Sequence, residues 1–201
     1  MQPPAARNAD HAIDPIFLER WSPRSFDGSK VEDHELRTLF EAARWAPSSF
    51  NRQPWRFVYA HRDTAAWARF LGLLMPFNAG WAANASAILF ILSDTQIHLP
   101  GKPAPETSRS HSFDAGAAWA YLALQATRMG LSTHGLAGVD FERARIELGV
   151  PDEFHIDAAI VVGRRDAKEK LPEMLQAREA PSGRNPVHAF AWDGSFGGSA
   201  A

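Results

Sequence analysis

Arg20, Ser22 and Arg24 lie close together near the start of the chain, and Ser182 and Arg184 form a similar polar pair near its end. A guanidinium presents a planar fork of N–H donors that meets phosphate oxygens two at a time. Arg20 and Arg184 can therefore clamp one phosphate group from opposite ends of the sequence, with Ser22 adding a neutral donor. Read on spacing alone, the same arginines are more simply surface charges at ordinary helix ends. Pro47, Ser48, Ser49 and Asn51 make a second polar set. A proline ends a helix, and the small polar residues after it leave backbone and hydroxyl donors free to reach a flat heterocycle. Taken alone, that segment is a helix-stop loop. In THGLAGVD, Gly138 allows backbone to approach a ligand closely, because glycine has no Cβ.

Other chemistries lack their residues. No GxxxxGK[ST] and no GxGxxG is present, so neither a P-loop nor a Rossmann nucleotide site is expected. HELRT, beginning at His34, lacks the second histidine of a zinc-protease helix. The histidines at 11, 34, 61, 98, 111, 134, 155 and 188 show no ligand-like pairing, so no metal is expected. No serine sits in a GxSxG elbow. The chain has no cysteine, which removes disulfides, thiolate nucleophiles and thiolate metal ligands together.

The elements that must position these residues are legible in part. Leu36, Leu39, Phe40 and Ala43 fall at helical spacing within 33–45, and Pro47 ends that helix. The runs 55–60, 87–92 and 158–162 are short, apolar and rich in β-branched or aromatic residues, as expected of strands buried on both faces. Residues 114–129 are apolar on nearly every side, with Gly130 at the C-terminal cap, and predict a central buried helix. Asp140 is placed to N-cap a helix over 141–148 that stops at Gly149 and Pro151. Residues 164–201 carry Pro172, Pro181, Pro186 and several glycines among scattered apolar residues, which predicts an arm lying over another surface, a second subunit being one candidate.

Composition sets the frame. The chain has 201 residues, 45% of them hydrophobic and 22% charged, enough to bury one core, and no linker divides it. With 21 basic and 23 acidic side chains the formal charge is −2, and no basic block offers a nucleic-acid surface. The N-terminus lacks an apolar leader, and runs such as SAILFIL are far shorter than the roughly 20 residues that span a bilayer. A soluble, cytoplasmic protein with no membrane or nucleic-acid partner is expected.

RWSPRSF (20–26) followed by APSSFNRQPWRF (46–57) resembles the paired N-terminal signature of the nitroreductase family. GAAWAYLALQATRMGLSTHGLAGVD (116–140) resembles that family's central helix, strand and flavin-facing loop, and APSGRNPV (180–187) its phosphate-contacting C-terminal segment. The resemblance implies an α+β, nitroreductase-like fold, with a mixed central sheet flanked by helices and a C-terminal arm exchanged across a homodimer. It divides the chain into a flexible N-terminus (1–13), an FMN-binding core (14–163) and an extended arm (164–201) that contributes Arg184 and dimer contacts.

By the same resemblance Arg20, Ser22, Ser182 and Arg184 lie on the FMN phosphate, with Trp21 between them in the motif. Arg24 reaches the ribityl or pyrimidine side. Asn78 hydrogen-bonds the ring. Gly135, Leu136, Ala137 and Gly138 form the facing loop, with the N–H groups of Ala137 and Gly138 toward flavin N5 and O4. Pro47, Ser48, Ser49 and Asn51 complete the partner's pocket, so the homodimer is implied as the working unit. Three departures stand out. Trp81 replaces a lysine common near the pyrimidine end, Ala137 replaces a glutamate, and Ser182 replaces a basic residue.

The activity implied is hydride transfer from NADH or NADPH through FMN to a small electron-poor acceptor such as a nitroaromatic or quinone, in ping-pong order and with no catalytic side chain. A flavin-sequestering protein with little turnover is one alternative. Another is a relative doing other flavin chemistry, namely dehydrogenation, dehalogenation or flavin fragmentation. The short segment 94–113 implies an open pocket, with His98, His111 and Phe113 as candidate lining residues.

Overall fold

The structure, a computed structural model, describes residues 7–98 and 101–198. In chain order the helices are α1 (Ile16–Glu19), α2 (Asp33–Arg44), α3 (Trp67–Gly72), α4 (Pro76–Ala82), α5 (His111–Arg128), α6 (Phe141–Glu147) and α7 (Glu173–Gln176). The strands are β1 (Trp55–His61), β2 (Ala87–Asp94), β3 (Gln96–Ile97), β4 (Glu106–Thr107), β5 (Ser132–Leu136) and β6 (Phe154–Gly163).

The four longer strands form one sheet in the order β1-β2-β6-β5. Every pairing among them is antiparallel, so the mixed sheet expected from the resemblance is antiparallel throughout the described strands. Alternation along β2 explains the layers. Ala87, Leu89 and Ile91 face a core with Leu36, Leu39, Leu122 and Ala126. Ile88, Phe90 and Leu92 face the other way, against Phe70, Leu73, Trp81 and Ala144. Side chains of successive strand residues point to opposite faces, so a continuous apolar run is what a strand between two helical layers requires. α2 and α5 cover one face; α3, α4 and α6 cover the other. Edge strand β1 departs from the expected two-sided burial, because its Tyr59 is exposed.

Local signals set the helix ends. α2 opens with a capping box in which Glu32 and Glu35 each satisfy the other's backbone N–H, leaving Leu36, Leu39 and Ala43 on the buried face. Asp140 accepts from the Arg143 N–H and caps α6. Gly130 follows α5 with φ +70°, the left-handed conformation of a C-terminal cap. α5 corrects another expectation: it is not buried all round. One face packs on the sheet through Ala115, Ala118, Leu122 and Ala126, while Phe113, Gly116, Ala120 and Tyr121 on the opposite side are exposed.

The C-terminal segment begins against its own chain. Phe26 bridges Arg165, the Asp166 N–H donates to the Ser25 carbonyl, and Leu171 and Leu175 enter the core beside α3 and α4. Residues 165–175 thus complete the molecule's own packing. Farther on, the Val187 N–H donates to Asp10, so the segment around Val187 meets residues 8–13.

Candidate functional site

Arg20, Trp21, Ser22, Arg24, His134, Arg178, Ser182 and Arg184 line one pocket of about 330 Å³, and Arg7 joins them. Residues between 7 and 24, residues 178–184 and β5 meet here. Arg20 follows α1, whose last turn fixes the Arg20 backbone through its N–H to the Ile16 carbonyl. Ser22 to Ser25 are fixed from behind. The Glu179 carboxylate accepts from the N–H groups of Arg24 (2.7 Å) and Ser25 (2.9 Å), and His134 Nδ1 lies 2.9 Å from the Pro23 carbonyl. A carbonyl can only accept, so that ring nitrogen carries the proton.

Charge is the pocket's main property. Five arginines line it, and none of the lining residues is acidic. Burial, followed by the neighbouring Arg7 and Arg184 charges, lowers the pKa of Arg20. Burial and then Arg184 lower that of Arg7. Arg24 is lowered by burial and by Arg178, and raised by Glu179, its partner at 3.9 Å. Arg7, Arg20 and Arg24 are half-buried and Arg178 and Arg184 exposed; like charges this close destabilise one another, and a phosphate dianion relieves them together. The hydroxyl of Ser22 lies 3.4 Å from Arg20 Nη1, and that of Ser182 lies 3.2 Å from Arg184 Nη1.

Asn78 and Gly138 are joined directly. Asn78 Nδ2 donates to the Gly138 carbonyl at 3.2 Å, and the Met75 N–H donates to the same oxygen at 2.9 Å. A Cβ on residue 138 would fall 2.0 Å from Asn78 Nδ2, so only glycine permits this contact. Ala137 is exposed, and the N–H groups of Ala137 and Gly138 have no hydrogen-bond partner among the described residues. A residue 135 side chain would press on Trp119, 3.2 Å from its ring. Leu136 is buried in the core, so only its backbone can serve this loop.

The other residues singled out in the sequence fall as follows, and the 47–51 loop, expected in a partner's pocket, is left where that expectation put it. Trp81 does not occupy a pocket position; it is buried between Phe26 and His134, with ring centroids at 6.4 and 4.8 Å, and its indole N–H is unpartnered. Pro47, Ser48, Ser49 and Asn51 do not line the arginine pocket of their own chain. Their loop is held by the Ser49 N–H on Asp114 and the Gln53 N–H on Ser48, with Phe50, Asn51 and Gln53 at positive φ and Phe50 87% exposed. His111 Nδ1 is engaged with the Ser93 hydroxyl at 2.7 Å, so it is no free lining residue; His98 and Phe113 are exposed. The 94–113 segment carries the β3–β4 hairpin, and its residues 99 and 100 lie outside the described residues.

Arg7, His134, Arg178 and Glu179 were not foreseen as site residues. Arg7 lies in the stretch expected to stand apart, and backbone carbonyls hold it in place. Arg178 and Glu179 adjoin the recognised APSGRNPV, which is the one signal that pointed their way.

The nitroreductase family model matches residues 18–76, which include Arg20, Ser22, Arg24 and the 47–51 loop. A Thermus thermophilus protein named NADH dehydrogenase is 32% identical over 173 residues, covering 73% of this chain and 83% of the relative. This chain belongs to the nitroreductase family. As a member it is an oxidoreductase. A Rhodopseudomonas palustris member named as an NADH dehydrogenase/NAD(P)H nitroreductase is 27% identical over 198 residues, 90% of this chain and 93% of its own. Among solved structures, an oxidoreductase described as containing FMN superposes with TM-score 0.92 at 44% identity, covering 99% of this chain and 100% of that one. The α+β nitroreductase fold is shared along the full length.

Proposed function

We propose that this nitroreductase-family member binds FMN and uses NADH or NADPH to reduce a small electron-poor acceptor such as a nitroaromatic or quinone. The observation that carries this is the cluster of five arginines lining a pocket with no acidic residue in its wall, at the end of β5 before a glycine loop with free backbone donors. The residues fit the cofactor. Arg20 and Arg184, with Ser22 and Ser182, would hold the phosphate. Arg24 would supply positive charge toward the pyrimidine side, where the buried Trp81 supplies none. Asn78 and the N–H groups of Ala137 and Gly138 would address the polar edge of the ring.

FMN held there would supply the redox chemistry, hydride exchange at N5. The chain's part is to hold and orient. Asn78 keeps the Gly138 carbonyl engaged, which would leave the neighbouring N–H groups, and not a carbonyl, to meet the flavin edge. No side chain is needed as a base. Reductant and acceptor occupy the same open face in turn, so the kinetics are ping-pong.

The site is shared between two subunits in this reading. The exposed face of α5 and the outward loop at Ser48–Asn51 supply the surface, and Pro47, Ser48, Ser49 and Asn51 reach the partner's pocket. In this reading residues 14–163 are the FMN-binding core, and the described part of the arm, 164–198, contributes Arg184 and contacts to the partner. The experiment is direct: FMN is added to purified protein, the visible spectrum and fluorescence quenching are recorded, and NAD(P)H oxidation is followed with a quinone. Parallel double-reciprocal lines are expected. Absence of FMN binding overturns the reading, and binding without turnover favours the sequestering alternative.

A further inference from the structure

Arg7 has no acidic partner among the described residues, yet its guanidinium is fixed on three backbone carbonyls. Nε donates to Ser182 at 3.1 Å, and Nη1 donates to Leu18 at 2.5 Å and to Arg20 at 2.7 Å. These contacts consume three of the five N–H donors and leave those of Nη2. The anchors are informative. Leu18 and Arg20 belong to the N-terminal limb of the pocket, and Ser182 belongs to the C-terminal limb that carries Arg184. Arg7 therefore spans the seam between the two limbs while facing the same cavity as Arg20 and Arg184.

Holding a third cation there works against the fold unless something compensates. Burial, then the Arg7 and Arg184 charges, lowers the pKa of Arg20, and burial, then Arg184, lowers that of Arg7. The carbonyl contacts neutralise no charge. A nearby Asp10 is occupied by the Val187 N–H.

We propose that Arg7 is a third arm of the anion clamp: its Nη2 edge binds the phosphate of the cofactor directly, and its carbonyl contacts hold the Arg20 and Ser182 limbs at the spacing one phosphate requires. The proposal rests on the FMN reading for the identity of the ligand, though the anion site itself does not. Residues 7–13 become a strap that the anion fastens, with the Asp10 to Val187 contact as its second fixing point.

The test compares FMN, riboflavin and inorganic phosphate on the wild type, Arg7→Ala and Arg7→Lys. Arg7→Ala is expected to weaken FMN binding about tenfold or more, the loss of one charge-assisted contact, and to leave riboflavin binding within about twofold. Arg7→Lys, a point charge without the fork, recovers only part. Inorganic phosphate raises the wild-type melting temperature and raises that of Arg7→Ala less. Equal losses for FMN and riboflavin, or FMN affinity unchanged in Arg7→Ala, overturn the proposal while leaving the FMN reading intact. A wild type that ignores FMN but responds to phosphate through Arg7 overturns the FMN reading and keeps the clamp. If Arg7→Ala does not fold, the FMN to riboflavin ratio of Arg7→Lys decides: a ratio equal to wild type overturns the proposal.

Discussion

Glu179 holds Arg24 from two sides: Oε1 accepts from the Arg24 backbone N–H at 2.7 Å, and Oε2 lies 3.9 Å from its guanidinium. The carboxylate side chain is only 3% exposed, and it also accepts from the Ser25 N–H. Glu179→Ala leaves two amides without acceptors at a cost of about 3 kcal/mol, whereas Glu179→Gln keeps one acceptor oxygen and costs about half as much. Urea unfolding measures both. Equal stability of wild type and Glu179→Ala would show that water replaces the carboxylate.

Gly138→Ala drives Asn78 off the Gly138 carbonyl, since the new Cβ and Asn78 Nδ2 cannot both remain. A loss of roughly 1 kcal/mol in stability is expected, that of one hydrogen bond. FMN affinity should fall too. Adding Asn78→Ala removes the clash while the hydrogen bond stays lost, so the double variant is no less stable than Gly138→Ala and fails to regain affinity. Recovery of affinity would mean that Asn78 makes no contribution to the ligand.

Gly116 lies on the exposed face of α5, where a Cβ meets nothing within 4 Å. A single chain therefore tolerates Gly116→Arg. If that face is the subunit interface, the variant sediments as a monomer and its FMN affinity falls at least tenfold, because residues 47–51 no longer reach a partner. Dimers that bind FMN normally would refute the shared site.

His134 ties stability to pH. Burial is the largest influence and holds its pKa below the ordinary 6.5; Arg24 and Arg20 push the same way, against the Pro23 and Ser22 carbonyls. Between the lowered folded value and 6.5 the unfolded chain binds more protons, so stability rises with pH. The contribution is complete above about 6.5 and is lost as pH falls below it toward the folded value. Melting temperatures recorded from about pH 7.5 down to about pH 5 should fall more steeply for wild type than for His134→Gln. Parallel profiles would assign the slope to other groups.

What the sequence disclosed depended on whether a residue's reason was local. Pro47, Gly130 and Asp140 mark helix ends through their own backbone or side-chain chemistry, and α2, α5 and α6 ended where these residues predicted. Pro76 at the first turn of α4 carried the same kind of signal, but a helix this short has no periodicity to support it. Trp81 read as a lost lysine because position was compared without packing; its helix turns it toward Phe26 and the core. Arg20 and Arg184 stood in recognisable motifs. Arg7 did not, since its partners are carbonyls, which every residue has. The exposed side of α5 was hidden in the sequence for a different reason: an apolar residue left at the surface has the same sequence pattern as one in the core.

Strand β2 pairs on one edge with β1, which precedes it, and on the other with β6, which comes much later in the chain. During synthesis, the run Ala87–Leu92 is therefore available long before Phe154–Gly163 can cover its open edge. An apolar segment with free backbone donors and acceptors on one side is the kind that pairs with a neighbouring nascent chain. Soluble yield on expression is then set by how long that interval lasts relative to encounters between unfinished molecules, a quantity governed by translation rate and chain concentration, and indifferent to the quality of the completed pocket.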